Sequence, residues 1–270
     1  MWSISGKKNI GIHIIDTLVN KIPEKPQVAV ILGSGLGNFV EKLQNKIIIP
    51  YKTIKNYPKS TIIGHAGEWV FGYINEKPII CASGRFHIYE GFSFKQVVLP
   101  INSINELGCK NIIITNSSGC LSNNWNIGDF MLIRGFLDYT FSLNKGKPKI
   151  IKFQIDEIFI EKIKLFSKNI GINLRQGIYT WTLGPSYETP EEIKDIISYG
   201  GNAVGMSTVP EIIEALKLNL NIIGLSCLTN YGAGMDGKTL THADVIKVSN
   251  KLNKEFSDLL IKIISMDEFK

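Results

Sequence analysis

The chain has 270 residues, enough for one large domain or two small ones and for a sizeable buried core. Hydrophobic residues make up 44% and charged residues 20%, which excludes a disordered chain. The net charge of +6 comes from scattered lysines without an aromatic–basic motif, so nucleic acid is not an expected partner, and an anionic small substrate suits the charge equally well.

In chain order, residues 9–20 place Ile10, Ile14 and Leu18 on one face and predict an amphipathic helix that Pro23 and Pro26 end. "QVAVILG" is β-branched, uncharged and closed by glycine, which predicts a buried strand. "WVFGYINEKPIICAS" predicts a hairpin turning about Asn75–Lys77. Residues 92–107 read as a helix disturbed by Pro100. "NIIITNSSG" predicts an apolar strand followed by a small polar loop, and "GDFMLIRG" another strand. Residues 142–152 are the most loop-like stretch. Helices follow at 156–169 and 190–199, the latter with Thr189 as N-cap and Pro190 at its first position. Pro210 opens another helix after "GMSTV". "NIIGLSCLT" predicts a strand, and 242–264 one terminal helix. Strands and helices alternate without a linker or repeat, so the expected class is α/β in a single domain spanning 1–270.

No apolar run approaches the ~20 residues of a membrane-spanning helix, so no membrane association is expected. "MWSISGKKNI" lacks the apolar core of a signal peptide, from which a cytoplasmic protein is expected. Cys81, Cys109, Cys120 and Cys227 form no CxxC pair. His13, His65, His87 and His242 are widely spaced. Neither set predicts a metal site or a redox motif.

Several strands run into polar text: Gly33-Ser34-Gly35 after "VAVIL", Gly84-Arg85-Phe86-His87 after "IICAS", Asn116-Ser117-Ser118-Gly119 after "IIIT", Thr229-Asn230 after "GLSCL". Ligands of α/β sheets bind beyond the carboxyl ends of strands, so these stretches are candidate walls of one pocket. "GSGLG" lacks the third glycine of a dinucleotide fingerprint, since position 38 is Asn38, and no Walker lysine follows. What remains is a backbone that can approach an anion closely, with the Ser34 hydroxyl beside it, or simply a tight turn. Arg85 offers a planar fork of donors matched to phosphate, and His87 points the same way on extended backbone; the alternative is a surface salt bridge and a core histidine. Glu188 is a helix-start charge or a carboxylate accepting from a ring N–H, with Tyr187 stacked on that ring. Ser207 either caps the helix after it or touches an anion at its N-terminus.

Taken together, "GSGLG", "GHAGEWVFG", "GRFHIYEG", "TNSSG", "GPSYETPEE", "AVGMSTVPE" and "LTNYGAGM" resemble the trimeric purine nucleoside phosphorylases, in that family's order, from about residue 28 to 245. The resemblance implies a distorted, mixed β-sheet core flanked by helices, and a homotrimer with active sites near subunit interfaces. It implies phosphorolysis of purine (deoxy)ribonucleosides to free base and pentose 1-phosphate, with inorganic phosphate as co-substrate and no cofactor. By resemblance, Ser34, Arg85, His87 and Ser207 bind phosphate with help from the backbone at Ser117, and His65 lies close by. Tyr89 and Met206 line the ribose, His242 reaches the 5′-hydroxyl, Tyr187 packs the base, and Glu188 and Asn230 hydrogen-bond the purine. His87, Glu188 and Asn230 carry the catalytic expectation. Asn230, where methylthioadenosine phosphorylases carry aspartate, favours inosine and guanosine.

The chain departs from the pattern in places. Glu68 stands where a basic residue is usual, with an expected effect on phosphate electrostatics. "TNSSGC" replaces "TNAAGG". "FLDYTFSLNKGKPK" replaces a segment that supplies an aromatic residue to the neighbouring subunit, with Phe141 a candidate substitute. Because "FLDYTF" also resembles methylthioadenosine phosphorylases, 5′-methylthioadenosine or methylthioinosine phosphorolysis is the alternative. A nucleotide-binding oxidoreductase and a non-catalytic nucleoside binder are the remaining readings.

Overall fold

The computed structural model describes residues 11–59, 66–143, 146–237 and 241–267. Ten strands form one mixed sheet: β1 (Val28–Ile31), β2 (Gln44–Pro50), β3 (Glu68–Ile74), β4 (Lys77–Ser83), β5 (Asn111–Cys120), β6 (Phe130–Asp138), β7 (Ile150–Lys152), β8 (Leu174–Trp181), β9 (Ala203–Gly205) and β10 (Asn221–Tyr231). The spatial order is β10-β6-β8-β9-β5-β1-β4-β3-β2, and β10 also pairs with β5. Strands β5, β10, β6, β8 and β9 therefore close on themselves, while β1, β4, β3 and β2 extend from the ring as an open wing. Parallel pairs (β1 with β4 and β5, β10 with β5) sit beside antiparallel ones (β3 with β4, β5 with β9), which gives the expected distorted, mixed sheet.

Helices cover both faces, so the central strands are apolar on both sides. Ala29, Ile31, Ile80, Ala82, Ile112 and Ile114 face one cluster with Ile14 and Leu18 of α1 (Gly11–Val19), Ile101 and Ile104 of α3 (Leu99–Glu106), and Ile212 of α6 (Val209–Lys217). Their alternate neighbours Val28, Val30, Ile79, Cys81 and Ile113 face Phe159 and Ile163 of α4 (Glu157–Asn169) and Phe256 and Leu260 of α8 (Asn253–Ser265).

The hairpin turns at Asn75 and Glu76, both at positive φ. Pro100 splits the predicted 92–107 helix into α2 (Phe94–Val97) and α3, where it takes a first-turn position that needs no N–H donor. Thr189 caps α5 (Pro190–Ser198) as expected. Three expectations are corrected. The terminal helix is two, α7 (His242–Lys251) and α8, broken at Leu252, whose side chain packs against the core. The loop-like 142–152 segment ends in β7, paired to β6. The polar text "NSSG" and Thr229-Asn230 is not loop but strand, because β5 and β10 stay paired through Ser117 with Cys227 and Gly119 with Asn230.

Candidate active site

Strands β1, β4, β5 and β10 run parallel to one another, so their carboxyl ends meet at one edge. A cavity of about 630 Å³ opens there, within the range of small-molecule sites. Ser34, Arg85, His87, Tyr89, Ser117, Tyr187, Glu188, Met206, Ser207, Asn230 and His242 all line it. His65, the remaining sequence-derived candidate, lies outside the described residues.

One region of the cavity is built around Arg85, which β4 delivers and which is 2% exposed. Its Nε donates to Glu211 Oε1 at 3.0 Å, and Nη1 donates to Ser207 Oγ at 3.3 Å. The Ser207 hydroxyl is 3.1 Å from Thr208 Oγ1, which accepts from Asn116 Nδ2 at 3.0 Å. Glu90 Oε1 accepts from the His87 backbone N–H at 3.0 Å and lies 2.9 Å from its ring Nδ1. With a carboxylate as partner, Nδ1 is the donor, which fixes the tautomer and the ring's orientation. The His87 ring stacks on Tyr89 at 4.8 Å. Ser117 turns the other way: its hydroxyl donates to Ser34 O at 2.8 Å and meets Ser249 Oγ of α7 at 2.9 Å, which ties three segments of the wall together.

The second region lies further along β5. A Cβ on Gly119 would stand 3.2 Å from Asn230 Nδ2 and 3.1 Å from Val204 Cγ1, so a side chain there would press on the amide by a few tenths of an ångström. Asn230 Oδ1 accepts from the Thr229 hydroxyl at 2.9 Å, and Nδ2 donates to Tyr231 O at 2.9 Å. One amide hydrogen points elsewhere, as an NH₂ has two to give. Glu188 accepts from Thr182 Oγ1 at 2.7 Å. Burial raises its pKa, and the Thr182 hydrogen bond only partly opposes this. Burial likewise raises the pKa values of Tyr187 and Tyr89.

Between the two regions sit Tyr89 and Met206. Gly184, at φ +71°, has no room for a Cβ against Met206 Sδ, and its Cβ would be 3.1 Å from the Tyr89 ring. The 184–188 loop thereby lies on both. His242 stands exposed at the first turn of α7, beside Asp244 at the cavity rim. From Asn116 to Gly119 the strand advances three residues, about 10 Å.

Sequence reasoning left out Thr182, Thr208, Glu211, Asp236 and Asp244, and named Asn116 only as part of a candidate pocket wall. The Thr-x-x-Glu spacing of Thr208 and Glu211 was a visible signal, but it reads as a helix cap. Two of the departures lie outside this chain's cavity. Glu68 opens β3 beside Glu41 and Lys46, and is not among the cavity-lining residues. Phe141 is exposed against Tyr139 and does not line this chain's cavity. Among the described residues no three His, Cys, Asp or Glu side chains gather as a metal site, and no helix is long and apolar enough to cross a membrane.

Residues 27–265 match the family model described as the Phosphorylase superfamily. Purine nucleoside phosphorylase 1 of Geobacillus stearothermophilus is 38% identical over 88% of this chain and 90% of its own. The chain is a member of the purine nucleoside phosphorylase family. The phosphorylase of Bos taurus is 37% identical over 79% of this chain and 78% of its own. Among solved structures, isoform 2 of the Schistosoma mansoni phosphorylase, in complex with cytosine and ribose-1-phosphate, superposes with a TM-score of 0.85 at 28% identity, over 95% of this chain and 96% of that one. A Schistosoma phosphorylase in complex with guanosine gives 0.83 at 25% identity, over 96% of each chain.

Proposed function

We propose that this protein phosphorolyses 6-oxopurine (deoxy)ribonucleosides, inosine and guanosine, to free base and (deoxy)ribose 1-phosphate, as a purine-salvage pentosyltransferase. The observation that carries this reading is that one cavity is lined both by a buried arginine–serine cluster, tied through Thr208 to Asn116 of β5, and by an asparagine amide beside Gly119, about 10 Å further along that strand, with half-buried Glu188 on the same wall. That separation suits a phosphate beneath a pentose and a purine beyond it.

Phosphate sits between Arg85, Ser207, His87 and Ser34, with the Ser117 backbone beside it; the phosphate role of His65 rests on the family resemblance. One of its oxygens attacks C1′, the C1′–N9 bond breaks, and the bonding electrons pass into the purine. Positive charge grows on the sugar over the phosphate, and negative charge grows on the base. The remaining Asn230 N–H donates to the purine as that charge develops, a contribution that elsewhere reaches ~3–4 kcal/mol for one well-placed donor. Glu188, ionised, accepts from the ring N–H at N1. Tyr187 covers the base, Tyr89 and Met206 hold the pentose face, and His242 meets the 5′-hydroxyl. Holding both reactants in one cavity removes the entropic barrier to their encounter. Inorganic phosphate is a co-substrate, and the mechanism calls for no cofactor or metal.

We further propose a homotrimer. Phe141, Leu143, Ile150 and Ile151 leave an exposed apolar stretch on the segment after β6, which suits a subunit interface. Phe141 is our candidate for the aromatic that closes a neighbour's site. Light scattering should give about three times the 30.1 kDa chain mass. Phe141→Ala should raise the nucleoside KM, and an unchanged KM would remove Phe141 from the site. The four buried, free cysteines suit the cytoplasm.

The deciding assay follows base release from inosine, guanosine, adenosine and 5′-methylthioinosine, with and without phosphate. Hypoxanthine and guanine should appear only with phosphate. If inosine and guanosine are both inert the reading fails, and preference for the 5′-methylthio substrate replaces it.

A further inference from the structure

Among the described residues, three helices begin with a threonine followed three residues later by an acid, and two of them close the expected reciprocal box. In α5, Thr189 Oγ1 accepts from the Glu192 N–H while Glu192 reaches back to the Thr189 N–H; in α7, Thr241 and Asp244 do the same. In α6, Thr208 and Glu211 have the same spacing, yet the threonine side chain makes no capping bond. Thr208 is held at φ +73°, a conformation that branched residues rarely adopt, in a tight turn closed by the Val209 N–H to Ser207 O bond at 2.8 Å. Its hydroxyl meets Ser207 and Asn116 instead. Glu211, freed from the box, lies 1% exposed and accepts from Arg85 Nε at 3.0 Å. Its second oxygen has no hydrogen-bond partner among the described residues. A buried ion pair is by itself weak evidence of a stabilising role.

We propose that Glu211 is a positioning residue for phosphate: the opened cap diverts its carboxylate to the Nε edge of Arg85, which turns the Nη1 edge toward Ser207 and the cavity. This rests on the phosphorolysis reading above. A guanidinium held by one edge keeps its planar fork in a fixed orientation, whereas an unheld one would have to be ordered by the incoming anion. The role belongs to the oxygen's location and not to its charge.

Two variants separate those possibilities. Glu211→Gln keeps a carbonyl oxygen at the same reach and removes the charge. Glu211→Asp keeps the charge and withdraws it by one methylene. Positioning predicts that Glu211→Asp raises the phosphate KM ~10-fold or more, with the nucleoside KM within about threefold, while Glu211→Gln stays within about threefold of the parent for both. The opposite order, Asp neutral and Gln impaired, would overturn the proposal in favour of a charge effect. A parallel rise in both KM values would make Glu211 merely structural. Calorimetric titration of each protein with inorganic phosphate alone reads the same order without turnover. If the parent protein binds phosphate but cleaves no nucleoside, the phosphorolysis reading fails while the positioning test still stands. If either variant does not fold, the phosphate affinity of the other against the parent decides: an impaired Gln variant refutes positioning, and an unimpaired Asp variant does so too.

Discussion

Replacing Asn230 by alanine separates the chemistry of this site from its architecture. The amide makes two internal bonds, accepting from Thr229 and donating to Tyr231 O, each at 2.9 Å. Neither partner is stranded by the substitution. The Thr229 hydroxyl already lies 3.4 Å from Ser118 O, and Tyr231 ends its strand partly exposed, where water can serve its carbonyl. Two net hydrogen bonds of ~1 kcal/mol each, partly recovered, set the stability loss below about 2 kcal/mol. For a chain of this size that lowers Tm by no more than about 5 °C. In the proposed mechanism the catalytic loss is larger, because there the second N–H donates to charge that exists only as the base departs. Removing such a donor costs ~10²–10³ in kcat. The phosphate KM should stay within about threefold, since Asn230 makes no bond to the Arg85–Ser207–Thr208 cluster. Continuous measurement of hypoxanthine release at varied phosphate, with calorimetric Tm, reads all three quantities. A kcat within tenfold of the parent, with the fold intact, would refute the assignment of Asn230 to the departing base.

Two further substitutions test the same region. Burial raises the Glu188 pKa, so the carboxylate begins to protonate at a higher pH than the ordinary ~4.3, and in its proposed role the neutral acid would no longer offer the ring N–H a charged acceptor. The kcat/KM for inosine should therefore fall on the acid side with an apparent pKa above the usual carboxylate range, and Glu188→Gln should abolish that limb along with most of the activity. The same sign holds for stability: a raised folded pKa favours the native state at low pH and loses that benefit as pH rises through it, so Glu188→Gln should gain Tm relative to the parent at pH 8 and not at pH 4. Gly119→Ala places a methyl 3.1 Å from Val204 and 3.2 Å from the Asn230 amide, and kcat should drop ~10-fold or more through displacement of that amide while KM for phosphate holds.

Much of this architecture was legible because it follows local periodicity. The runs "VAVI" (28–31) and "III" (112–114) are apolar at every position because both faces of their strands are covered by helices. Thr189 and Pro190 carry the start of α5 in their own chemistry. β2 was not legible: most of its side chains are exposed or half-exposed at the edge of the wing, so no alternation marks it. The polar ends of β5 and β10 were misread for a related reason. Asn, Ser and Gly in succession have the propensities of a turn. Here pairing with residues about 110 positions away in sequence keeps the backbone extended, and local text cannot report such a partner. That error hides the design of the cavity: its floor is strand, so Asn116 and Gly119 are held at a fixed separation by the ladder.

A deeper limit separates the residues that face a ligand from those that hold them. Arg85, Ser207 and Glu188 could be named because their types match phosphate and purine chemistry. Glu211 could not, because the pattern that contains it is the pattern of an ordinary helix cap. Thr189-x-x-Glu192 and Thr241-x-x-Asp244 close, and Thr208-x-x-Glu211 does not. The difference lies in one backbone angle, φ +73° at Thr208. It is kept there by contacts from distant segments: Asn116 of β5 on the Thr208 hydroxyl, and Tyr179 of β8, whose oxygen accepts the Ser207 N–H at 3.5 Å. Strain of this kind persists only where the surroundings over-determine it, and it gathers where function needs a fixed geometry. A cap that fails to close, read from the structure, therefore locates a residue that composition, periodicity and motif all assign to the helix alone.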